Sequence, residues 1–130
     1  MTTFEYTLTT GILGIADGAY AVAWTLLNDS DVEQGYRVTA YNCPVYQPKR
    51  AVPPGPIEGY ILPSTSSYYA YGLGAPNPFG GVPALDGFAV EVVVEVNDPR
   101  MLPTVEMWSS GTTAILAGTR IGPSQFVRLS

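Results

Sequence analysis

The sequence predicts an all-β chain, a single antiparallel β-sandwich domain over residues 1–130 with eight or nine strands, immunoglobulin-like or jelly-roll-like. Three observations carry this. Twelve prolines and fourteen glycines are spread along 130 residues and leave no room for a long helix. Between them, apolar residues recur with a period of two. The spacing of these runs, with turn residues between, suits two facing sheets.

Thr3 to Thr9 alternates Phe4, Tyr6 and Leu8 against Glu5, Thr7 and Thr9, and a Gly11–Gly18 turn region follows. Ala19 to Asn28 sets Tyr20, Val22, Trp24 and Leu26 against the small Ala19, Ala21 and Ala23. Asn28-Asp29-Ser30-Asp31 is a turn, because such side chains bond their own backbone. Tyr36 to Asn42 then returns, and the two runs are expected to pair as a hairpin. Pro44, Pro48, Pro53, Pro54 and Pro56 make residues 43–56 a loop. Ile57–Leu62 and Ser66–Leu73 are short strands hinged at Pro63-Ser64, and 74–87 is a second Gly/Pro loop. In Phe88 to Asn97, the clearest strand, Phe88, Val90, Val92, Val94 and Val96 share one face. Val105–Trp108, Ala114–Arg120 and Gln125–Leu129 complete the set. The expected core is Val22, Trp24, Leu26, Val38, Val90, Val92 and Val94.

Four runs, Val22 to Asp31, Tyr36 to Tyr41, Ile61 to Ser64 and Phe88 to Val92, resemble immunoglobulin-like and fibronectin-III-like sandwich modules. The resemblance implies the kind of fold used on microbial surfaces, in appendages and in viral particles. It spans residues 19–97, lacks the cysteine pair of an inter-sheet disulfide, and carries over no site.

Charge is scarce. Six Lys/Arg and eleven Asp/Glu make 13 % of the chain, against about a quarter in ordinary domains. Folding hides roughly two-thirds of the unfolded surface, so the outside must use Thr, Ser, Tyr, Gly, Pro and bare apolar groups. Such a surface is poorly guarded against association. A net charge of −5 offers no basic face for nucleic acid, and no apolar run reaches the roughly 18 residues of a membrane span. Met1 to Tyr6 shows no basic start or apolar segment of a secretory signal. Cys43 is alone, which leaves a small buried hydrophobe or a cross-link between subunits.

With no histidine, the chain cannot build Ser-His-Asp or Cys-His nucleophile systems or imidazole metal sites. No catalytic residue, metal or cofactor is assigned. Glu91 and Glu95 lie about 13 Å apart along one strand, too far for a glycosidase couple, and read as a solvated or interface-facing stripe. Asp29, Asp31 and Glu33 lack the glycine and loop length of a calcium site and read as turn residues. Asn28-Asp29-Ser30 matches a glycosylation acceptor. Tyr60, Tyr68, Tyr69, Tyr71 and Trp108 are candidate ligand or interface aromatics, or the edge of a core. Phe4, Tyr6 and Leu8 belong either to an ordinary first strand or to an arm, residues 1–10, donated to a neighbour's sheet.

The expected function is a non-enzymatic structural subunit that self-assembles into an extracellular filament, surface coat or particle. A viral capsid-decorating or tail protein fits the same physics. The alternative is a carbohydrate- or protein-binding module. Partners would be copies of the chain, with glycans a second candidate, at the cell surface or in a virion.

Overall fold

A computed structural model describes residues 3–72, 85, 89–109, 115–116 and 118–130. The described residues form ten strands: β1 (Tyr6–Thr9), β2 (Leu13–Gly14), β3 (Ala19–Asn28), β4 (Gln34–Asn42), β5 (Arg50–Ala51), β6 (Ile57–Ile61), β7 (Thr65–Gly72), β8 (Ala89–Val96), β9 (Met101–Ser109) and β10 (Val127–Arg128). They form an antiparallel sandwich of two unequal sheets. The seven-stranded sheet runs β10-β1-β8-β4-β5, with β2 also on β8 and β6 also on β4. The three-stranded sheet runs β7-β3-β9.

Alternation places the core. Val22, Trp24 and Leu26 of β3 meet Tyr36, Val38 and Ala40 of β4 and Val90, Val92, Val94 and Val96 of β8, all buried. The seven residues expected in the core are all there. The Trp24 ring meets Tyr36 edge-on, with centroids 6.1 Å apart.

The expected hairpin between 19–28 and 36–42 does not form: β3 and β4 lie in opposite sheets. Asn28 is the reason. Its buried amide donates to the carbonyls of Val32 (2.8 Å) and Ile61 (2.7 Å), and its Oδ1 accepts from the Ser30 amide and hydroxyl. This network turns the chain out of the plane of β3 and across the core. β4 then pairs with β6 and β8. Asn28 is wholly enclosed, so the glycosylation reading falls.

Other boundaries moved too. The 11–18 turn region contains β2, and the proline loop contains β5. β9 starts at Met101 and runs through Pro103; the strand is laddered to β3 on one side, and among the described residues it is bridged on the other only from Val105 onward, which leaves room for a proline. Ala114–Arg120 is not a strand in its described residues; Ile115 within it makes an isolated bridge to Trp108, and Ile121 just after it one to Val105. Most of the 74–87 loop lies outside the described residues.

Candidate interface on the three-stranded sheet

β3 sits between β7 and β9 in continuous register, with Trp24 opposite Tyr69 and Val105. Odd and even positions of β7 therefore face opposite ways. Tyr69 and Tyr71 lie on the core side, edge to face at 5.1 Å. Tyr71 is buried, accepts a 3.3 Å hydrogen bond from the Trp24 indole, and has its phenol pushed up to about 12 by burial. It is a core residue, which removes it from the candidate aromatics; Tyr69 stays at the rim, partly exposed.

Tyr68 and Trp108 lie on the outer face. Tyr68 is opposite Thr25 and Trp108 opposite Ala21, so the pair closes diagonally across β3 above Ala23. Their ring centroids are 6.5 Å apart. The floor is made of small residues: Ala21, Ala23 and Ala70 are buried although they face outward. This is what the small alternate residues of 19–28 provide, a flat base that lets two rings approach. Tyr60 stands elsewhere, on β6 opposite Gly35, and is exposed.

The edge of β7 is open. Among the described residues no strand pairs with it on the side away from β3. Its sequence, Thr-Ser-Ser-Tyr-Tyr-Ala-Tyr-Gly, has no charge and no proline, and Thr65, Ser66, Tyr68 and Tyr69 are exposed. Natural edges are normally blunted with lysine, proline or bulges. This one is not.

The seven-stranded sheet holds the ion pairs. Arg37 binds Glu95 through Nε (2.6 Å) and Nη2 (3.1 Å) and reaches Glu58 at 3.2 Å. Those hydrogen bonds raise its already high pKa. Lys49 Nζ lies 2.7 Å from Glu91, which also accepts from the Thr9 hydroxyl. Burial pushes the Glu91 carboxyl up, but the bonds from Lys49 and Thr9 outweigh it and leave the pKa lowered. Of the expected solvated or interface-facing stripe, the solvated reading is corrected: Glu91 is buried beneath Lys49, and Glu95 is half-buried against Arg37.

The N-terminal arm is at home. β1 pairs with β8 from Tyr6↔Val96 to Thr9↔Val93 and with β10 on its other side. Tyr6 and Leu8 pack against the core, as an ordinary first strand does. Phe4 does not share their face: the chain bends at Glu5, whose amide donates to Asn97 Oδ1, and Phe4 lies under the Arg37 guanidinium at 5.2 Å.

Two depressions open near opposite ends of β8. One, about 360 Å³, lies between the sheets and is lined by Leu8, Val96, Met101 and Pro103 with Arg128 at its edge. The other, about 370 Å³, lies beside Ile12, Cys43, Pro44 and Lys49. Cys43 is buried, its thiol directed at the Tyr41 carbonyl at 3.8 Å. Reading the sequence missed Lys49 and Arg128. It also missed Tyr46, although an aromatic held between Pro44 and Pro48 was a visible signal.

No protein-family model matches the chain, and no curated protein matches it. A solved structure, that of Thermotoga maritima 1070, is similar in fold, with a TM-score of 0.53 at 12 % identity over 93 % of this chain and 92 % of that one. At that identity the likeness is one of fold alone.

Proposed function

We propose that this chain is a non-enzymatic structural subunit that assembles with copies of itself into a filament, surface coat or particle, outside the cell or in a virion. The observation that supports it best is the unblunted, uncharged edge of β7. A molecule of net charge −5 repels its copies over most of its surface, and β7 is where two copies meet without like-charge cost. The backbone ladder would supply affinity and the exposed Tyr68 and Tyr69 contact area.

A second reading has its own observation. The Tyr68–Trp108 pair on a flat alanine base is a surface on which a sugar ring can stack, as a carbohydrate-binding module requires. Size-exclusion chromatography and negative-stain microscopy of the full chain separate the two. Ordered assemblies that shrink in an S66K/Y68K variant support the first. A monomer at every concentration, retarded on immobilised glycan, replaces it with the second.

A further inference from the structure

Antiparallel pairing of β7 with β7 of a second copy uses the same strand on both partners, so it closes at two. An open-ended assembly needs a second, heterologous contact, and two unmatched features of the molecule fit one another.

The first is a tip. In the loop between β4 and β5, Tyr46 is 103 % exposed and holds φ at +57°, a left-handed conformation that a bulky side chain rarely adopts. Val45 beside it and Ile12 across the neighbouring depression are also exposed. The fold thus holds an aromatic outward in this loop, beside Val45 and against its own backbone preference.

The second is the cleft between the sheets. Its volume, about 360 Å³, lies at the small end of ligand-pocket sizes, suited to one side chain and its neighbour. Its walls are mostly apolar, and Arg128 stands at its edge with its guanidinium 4.6 Å from the Tyr6 ring centroid. A second ring entering there would meet the same cation.

The two features sit at opposite ends. Asn42, which leads into the tip loop, is opposite Val90, while the cleft reaches Val96, six residues or about 20 Å along β8. Charge runs the same way. Lys49, paired with Glu91, and Arg50 follow the tip, whereas the turn at the cleft end carries Asp29, Asp31 and Glu33 with Asp98 close by, an acidic excess that Arg100, bonded to Asp98 and near Asp31, offsets only in part.

We infer that the Tyr46 loop of one copy seats in the β1–β9 cleft of the next, making a head-to-tail contact that propagates. This rests on the assembly reading above. Its partner is a second copy of this chain.

The test uses the full chain in sedimentation velocity and electron microscopy, comparing wild type with Y46D and Y46G. Y46G removes the ring and suits the positive φ, so it folds at least as well as wild type by thermal melting. Both variants are expected to stop at a dimer, with association beyond the dimer weakened tenfold or more. In a C43S background, V45C and S124C variants mixed under oxidation should give a cross-linked pair that neither gives alone. Polymers indifferent to Y46D, or cross-linking of V45C with itself, overturn the contact and leave assembly standing. A wild type that stops at dimers overturns it as well. A wild type that stays monomeric overturns the assembly reading itself.

Discussion

The outer faces of the two sheets are built on opposite plans. On the seven-stranded sheet, Arg37, Glu58, Glu95, Lys49, Glu91 and Thr9 knit four strands together with hydrogen-bonded charge. On the three-stranded sheet, β3 and β7 carry no charge at all, Glu106 of β9 is the one ionisable acid, and the space is filled by alanine floors and the Tyr68–Trp108 pair. A chain with so few charges has placed them where they hold strands of one sheet in register. The other sheet is left bare, and bare surface is where contact is least costly. Against this background the shared interior should behave alike for both sheets, and the exteriors should not.

The largest effect should come from the interior. Trp24→Ala removes a buried ring that touches Tyr36 across the sandwich and Tyr71 along its own sheet, and is expected to cost about 3–5 kcal/mol in denaturant unfolding. A loss near 1 kcal/mol would mean that the two sheets are not coupled through one core. Asn28→Ala comes next. It takes the Asn28 amide from the Ile61 carbonyl, leaves the Val32 carbonyl only the Ser30 hydroxyl, and removes the acceptor of the Ser30 amide, and should cost about 2–3 kcal/mol. It should lower the melting midpoint of both sheets together, read by near- and far-ultraviolet dichroism, because Asn28 sits where the chain passes between them.

The interior was also the legible part. Val22, Trp24, Leu26 and Val90, Val92, Val94 announce themselves by alternation, since a two-residue period needs no knowledge of the partner strand. Strand pairing was not legible. Asn28-Asp29-Ser30-Asp31 has the composition of a hairpin turn, and only the buried bonds from Asn28 to distant Ile61 make it a crossing between sheets. Sequence spacing cannot report a contact 33 positions away. The candidate interface was legible in part. Tyr68 and Trp108 were visible as aromatics, but their pairing depends on the register of two strands with β3, and Tyr71 differs from Tyr68 only in the face its position gives it.

A smaller effect, and one with a pH signature, belongs to the seven-stranded exterior. Glu91 has a lowered pKa: its burial acts to raise it, and the bonds from Lys49 and Thr9 more than reverse that. A carboxylate whose folded pKa lies below its unfolded value adds stability above the unfolded value and loses it as pH falls through the folded one. The contribution should therefore be present at neutral pH and fade as pH falls below the ordinary glutamate range. Glu91→Gln should cost about 1 kcal/mol at pH 7, discounted because Lys49 is half exposed, and should flatten the acid limb of the stability curve. An acid limb unchanged in the variant would remove Glu91 from the account of that face.

The smallest effect on folding should come from the three-stranded exterior, and it is the sharpest check on the comparison. Tyr68 is 63 % exposed, and its ring touches Trp108 without a charged partner. Exposed substitutions of this kind change stability by about 0.5 kcal/mol or less, with about as much again for a lost aromatic contact. Association is another matter, because a tyrosine that becomes buried between two copies is the residue type that dominates interfaces, with losses of about 2 kcal/mol on truncation. Tyr68→Ala should thus leave the melting temperature nearly untouched while weakening self-association roughly thirty-fold, as read by sedimentation equilibrium. If the variant instead unfolds with Trp24→Ala-like cost and associates as before, the bare face is holding the fold together, and the contrast between the two exteriors is lost.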